Sequence, residues 1–150
     1  MITDKYTTFC DAEALNTGAA GTYLIGDVVD LSVVRDIGQG NPLYLVINVE
    51  TTATSGGSAT GTFKLASDAQ AAIATDGSAT EHLTSPTFAV ADMAAGTNIL
   101  TAVIPMEGNE YERYLGILQV TGTAAFTAGK VDAFLTQTPA AWKAYPEGNN

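Results

Sequence analysis

Apolar positions along this chain fall in short continuous runs or in strict alternation, the period of β-strands rather than of helices. The segment Leu43-Tyr44-Leu45-Val46-Ile47-Asn48-Val49-Glu50-Thr51 predicts a strand buried on both faces at its start and alternating at its end. Residues 60–67 place Phe63 and Leu65 on one face, with Thr62, Lys64 and Ala66 on the other. Further strands are predicted at 81–85, 87–91, 97–104, 114–121 and 130–136, with Pro86 at an edge or bend and Pro105 as a stop. In the last of these Val131, Ala133 and Leu135 alternate with Asp132 and Phe134. Residues 6–10 and 23–31 are also β-prone. The one helical candidate, 69–74 (Ala-Gln-Ala-Ala-Ile-Ala), is too short to stand alone.

Turn chemistry separates these runs: Gly38-Gln39-Gly40-Asn41-Pro42, Gly56-Gly57-Ser58 and Asp76-Gly77. About seven short strands with Gly and Pro between them predict an all-β, jelly-roll-like antiparallel β-sandwich. No helix is long enough to connect parallel strands, so an α/β fold is excluded. The chain of 150 residues reads as one domain, with an arm and first strand at 1–42, a sandwich body at 43–138 and a tail at 139–150. Two readings of 1–42 stand side by side. Either it is an extended arm lying along the body or a neighbour, or it forms the first strand and its loops.

Composition supports strands and turns: 24 Ala, 21 Thr and 15 Gly are spread without helical spacing. Sixteen acids against six bases give a formal charge of −10. The six cations, Lys5, Arg35, Lys64, Arg113, Lys130 and Lys143, are never adjacent. Nucleic acid requires clustered cations, so it is not expected as a partner, nor is an anionic membrane surface. The acidity reads first as a means of staying soluble. A single cysteine, Cys10, allows no internal disulfide and fits a reducing compartment. No signal peptide or membrane span is legible, so the chain is expected to be made in the cytoplasm.

Candidate chemistry is sparse. Glu107, Glu110 and Glu112 could be read as a carboxylate pair for hydrolysis, but acids in a loop between strands are ordinarily just solvated. Asp27 and Asp30 flank two valines and read as strand-edge acids rather than a cation loop. His82, the only histidine, belongs to no nucleophile motif and reads as a partly exposed strand residue. Cys10 reads as a small buried side chain. No enzyme activity, metal or cofactor is expected. The aromatics are more telling, because Tyr6, Phe9 and Tyr23 near the start and Trp142 and Tyr145 near the end fall outside the strand-rich body. Large aromatics are common interface anchors. With Leu15, these form the expected contact set.

The opening MITDKYTTFCDAEA, the segment YLIGDVVDL at 23–31 and the run Gly40-Asn41-Pro42-Leu43-Tyr44-Leu45 resemble the capsid cement, or decoration, proteins of short-tailed bacteriophages. The resemblance covers most of the chain and is most distinctive in its first third. It implies a jelly roll on the outer surface of the virion, bridging major capsid subunits of the HK97-like fold and stabilising the shell. It also implies homodimers near two-fold positions, although other decoration proteins are trimers. The alternative is a carbohydrate-binding or head-fibre module for surface attachment, for which Tyr44, Tyr111 and Tyr114 are the stacking candidates.

Overall fold

The structure is a computed structural model and describes residues 4–34, 37 and 40–139. Nine strands follow in order: β1 Thr8–Ala14, β2 Gly21–Asp30, β3 Tyr44–Ser55, β4 Thr60–Asp68, β5 Thr80–Thr84, β6 Phe88–Ala89, β7 Asn98–Val103, β8 Tyr114–Gly122 and β9 Phe126–Thr136. Two single 3-10 turns, Lys5–Thr7 and Val90–Asp92, are the only helical elements among the described residues. One sheet has the order β1-β9-β3-β7 and the other β2-β8-β4-β5, with β6 added to β4. All pairings are antiparallel, and they nest: β1 with β9, β2 with β8, β3 with β7, β4 with β5. The pairings β3·β9 and β4·β8 join the nested pairs into the two sheets.

The alternation in the sequence is what builds the interior. Leu45, Ile47 and Val49 of β3 and Val131, Ala133 and Leu135 of β9 face Phe63 and Leu65 of β4 and Leu115 and Ile117 of β8 in one buried core. Each fully buried large side chain among them stabilises the fold by about 1.5–3 kcal/mol relative to exposure. Loops are drawn into this core as well. Met93, from the β6–β7 connection, is completely buried, and Met93 O accepts the Ala53 N–H at 2.9 Å.

A second, smaller cluster lies on the outer face of the β2-β8-β4-β5 sheet, where Ala66, Ile73, Ala79 and Leu118 pack with Leu24 and Val28. Here the expected helix at 69–74 is not formed. The segment is an irregular loop, because the Asp68 carboxylate accepts the N–H groups of Gln70 and Ala74, both at 3.0 Å, and offers the backbone an alternative to helical bonding. The loop instead lowers Ile73 onto Gly116, where a β-carbon would come within 2.7 Å of Ile73 Cδ1. A strand glycine here makes room for a neighbour.

Among the described residues of 1–42 the chain forms two strands, each paired along the body. β1 is an edge strand of one sheet, and β2 of the other. The reason is pairing with distant sequence: Thr8 lies opposite Phe134, and Tyr23 opposite Gln119. Both strands carry irregularities, at Ala12 (φ 50°) and at Gly26 (φ 68°), with register shifts in each ladder. Such bulges keep an edge strand from offering a flat template for pairing with another chain.

Candidate interaction surface

Strand register sorts the loops onto two ends of the sandwich. Tyr44 lies opposite both Val103 and Thr136, and Thr8 opposite Phe134. In the other sheet Tyr114 lies opposite both Asp30 and Asp68. One end therefore gathers residues 4–7, the described residues of loop 31–43, the loops 69–79 and 104–113, and residues 137–139 after β9. It is called the terminal end here. The loops 15–20, 56–59, 85–97 and 123–125 lie at the far end.

The large apolar side chains exposed among the described residues are Tyr6, Val33, Val34, Val103 and Met106. All five belong to the terminal end. Tyr6 is 82 % exposed and the other four between 46 and 60 %. Tyr6 stands on the Lys5–Thr7 turn, which Asp4 caps by accepting the Tyr6 N–H at 3.0 Å. Beside it runs a groove of about 680 Å³ whose wall includes Val28, Val29, Leu31 and Ile37, together with Lys5, Asp27 and Asp30.

The loops of this end are anchored by the residues that begin β8. Arg113 donates to both carboxylate oxygens of Asp30, at 2.9 and 2.8 Å, and its guanidinium lies 4.9 Å from the centre of the Tyr114 ring. The hydrogen bonds from Arg113, and after them the Ser32 N–H, hold the Asp30 carboxyl down to about 2. Leu31 N–H donates to Arg113 O at 2.8 Å, which fixes the start of loop 31–43. Tyr111 is buried and closes loop 104–113 by donating its hydroxyl to Pro105 O at 2.7 Å.

The expected contact residues do not form one site. Tyr6 is exposed at the terminal end. Phe9 (1 %) and Leu15 (3 %) are corrected to core residues, because β1 pairs with β9 and the Leu15 N–H, just after it, donates to Gly129 O of β9 at 2.9 Å. Tyr23 sits near the far end, half-buried, with its hydroxyl donating to Ala19 O at 2.8 Å. Trp142 and Tyr145 lie outside the described residues. Sequence reasoning missed Val33, Val34, Val103 and Met106. The signal for them was an apolar residue inside or next to turn chemistry, as in Val33-Val34 after Ser32 and Met106 after Pro105. Of the candidates for sugar stacking, Tyr111 is buried, and Tyr44 and Tyr114 lie in different sheets.

The polar groups considered for chemistry are either exposed on loops or engaged by structural partners. Glu107 and Glu110 are exposed, while Glu112 accepts the Thr80 hydroxyl at 2.8 Å. Ser67 Oγ and His82 Nε2 are 2.7 Å apart, yet Ser67 has no exposed surface, so its hydroxyl cannot meet a substrate. Cys10 is buried, and burial, reinforced by Glu13, Asp132 and Asp27, pushes its thiol well above the usual range. It remains a thiol and not a nucleophile. Among the described residues no group of three or more His, Cys, Asp or Glu is placed to hold a metal ion, and no helix is long and apolar enough to cross a membrane.

Fold and surface together define a two-sheet antiparallel β-sandwich with its exposed apolar side chains and the ends of its described chain gathered on one side. The chain matches the family model Bbp16 over residues 9–135. It belongs to the Bbp16 family, a family associated with bacteriophages. No curated protein matches it.

Proposed function

We propose that this chain is a capsid decoration protein, which binds the outer surface of a bacteriophage head and bridges neighbouring major capsid subunits of the HK97-like fold. The observation that carries the reading is the gathering of Tyr6, Val33, Val34, Val103 and Met106 at one end of a sandwich from a phage-associated family. Apolar side chains that are grouped rather than scattered mark surfaces for protein contact. The nested strand pairing, β1·β9 around β2·β8 around β3·β7 around β4·β5, supports a jelly roll. In this reading the terminal end faces the shell and needs neither catalysis nor a cofactor. The net charge of −10 and the absence of clustered cations in the sequence disfavour nucleic acid as a partner.

Many copies on one lattice make a weak single contact sufficient, and pairing into homodimers near two-fold positions would add to it through multivalency. The test is sedimentation of the protein with emptied phage heads and alone. The protein should pellet with heads and stay in the supernatant without them. Failure to pellet with heads, joined with binding on a glycan array, would replace the reading with surface attachment.

A further inference from the structure

Residues 111–113 hold together more of the molecule than their place in a loop requires. Tyr111 stacks on His82 of β5, with ring centres 3.9 Å apart and planes inclined by 16°. The Glu112 N–H donates to Ser67 Oγ of β4 at 3.0 Å, and the Glu112 carboxylate accepts from Thr80. Arg113 holds Asp30 and Leu31 at the start of loop 31–43. Two loops of the terminal end thus depend on one cluster, whose centre is the contact between Ser67 and His82.

That contact has a direction. Ser67 Oγ already accepts the Glu112 N–H, so its own hydrogen is available to His82 Nε2, 2.7 Å away. The neutral His82 ring with Nε2 unprotonated, the tautomer that accepts at this atom, is the one that gives the buried Ser67 hydrogen a partner. Adding a proton to Nε2 changes an acceptor into a donor. Ser67 Oγ can accept both donors on its two lone pairs, but its own hydrogen loses its acceptor in a position with no solvent. A buried donor without a partner is costly, and the relief open to Ser67 is to turn its hydroxyl towards another acceptor, which carries Oγ away from the Glu112 N–H.

We propose that His82 is a proton-operated latch: protonation of its ring frees the Glu112 backbone from Ser67 and loosens loop 104–113. Tyr111 and Glu112 are the titratable groups that loop 104–113 brings against the ring, and on β5 itself Glu81 is engaged by Lys64 at 2.6 Å. Burial opposes the charged ring and outweighs the attraction of the Glu112 carboxylate, so His82 titrates below its ordinary value of 6.5. Tyr111 stays neutral throughout, its hydroxyl pushed up to about 12 by burial. The latch itself concerns the free chain; only its consequence, a terminal end that changes shape with acidity, rests on the proposed contact with a shell.

Amide hydrogen exchange of the free, full-length protein tests it, measured from pH 7.5 to 5 and corrected for the intrinsic pH dependence of exchange. The His82 ring is followed by NMR in the same samples. Protection of the Glu112 amide should fall by about tenfold or more, the size expected for losing one buried hydrogen bond, with the same midpoint as the ring. In His82→Phe, which keeps the stack on Tyr111 but cannot bind a proton, protection should not change with pH. Constant protection while His82 titrates, or an equal fall in His82→Phe, would overturn the latch. If that variant does not fold, coincidence or disagreement of the two midpoints in the unaltered protein decides. No head particles are involved, so failure here is distinct from failure of the decoration reading.

Discussion

Arg113, just before β8, presents the side of its guanidinium to Asp30 at the close of β2, with Nε and Nη2 donating to the two carboxylate oxygens at 2.9 and 2.8 Å. The pair is exposed, so its contribution to overall stability is small. Its local effect is on the start of loop 31–43, which carries Val33 and Val34. The folded carboxyl, at about 2, lies below its ordinary value of 3.8. The stabilisation is therefore present above pH 3.8 and is lost as pH falls through about 2. Carboxyl NMR titration should place Asp30 near 2 and move it towards 3.8 in Arg113→Gln. An unmoved value would assign the depression to the Ser32 N–H instead.

Tyr6 and Phe9 stand three residues apart and should behave oppositely. Phe9→Ala opens a cavity between the sheets and is expected to cost about 3–5 kcal/mol of unfolding free energy. Tyr6→Ala removes an exposed ring and should stay within about 0.5 kcal/mol. Urea unfolding of both variants checks this. For the same reason, deletion of residues 1–20 should unfold the protein, because it removes Phe9 and Cys10 of β1, and Leu15 after it, from the core. Deletion of residues 1–7 should leave the sandwich folded.

Gly26 is held at φ 68° with the Phe9 carbonyl oxygen in contact with the place where a β-carbon would sit. Gly26→Ala therefore meets both backbone strain and a collision with main chain, which cannot rotate away. We expect a loss of about 2 kcal/mol or more, read as a lowered urea midpoint. Gly77, also at positive φ but with open space around it, should lose less on the same change.

How far the fold could be read in advance follows from where each strand finds its partner. β4 was legible because Phe63 and Leu65 alternate with Thr62 and Lys64, and period alone decides which face is buried. β3 was legible because both its faces are covered at its start. The short helical candidate at 69–74 is an irregular loop because Asp68, a single side chain, redirects the backbone. Phe9 and Leu15 were expected at an interface because their burial depends on β9, more than a hundred residues away. Tyr6 was legible as an exposed aromatic, whereas Val103 and Met106 become neighbours of that end only through the register of β7 on β3.

Stability should also report on His82. Its folded value lies below 6.5, so neutral His82 is favoured by folding. At pH above 6.5 neither state binds the proton and the full stability is present. As pH falls below 6.5 the unfolded chain takes up the proton first, and stability declines until the folded ring titrates too. Urea midpoints measured between pH 7.5 and 5 should fall, and His82→Phe should flatten that part of the curve. A midpoint independent of pH in the unaltered protein would contradict this assignment.

The central claim, that the terminal end is the surface meeting the shell, is tested by placing a charge at each end of the sandwich. Val103→Asp combined with Tyr6→Ala alters the terminal end, and Thr123→Asp, at an exposed position in loop 123–125, serves as the far-end control. All are sedimented with emptied heads after urea unfolding has shown unchanged stability. The account predicts that the terminal-end variant stays in the supernatant while the far-end variant pellets as the unaltered protein does. Undiminished pelleting of the terminal-end variant, or loss of binding in the far-end variant alone, would contradict it.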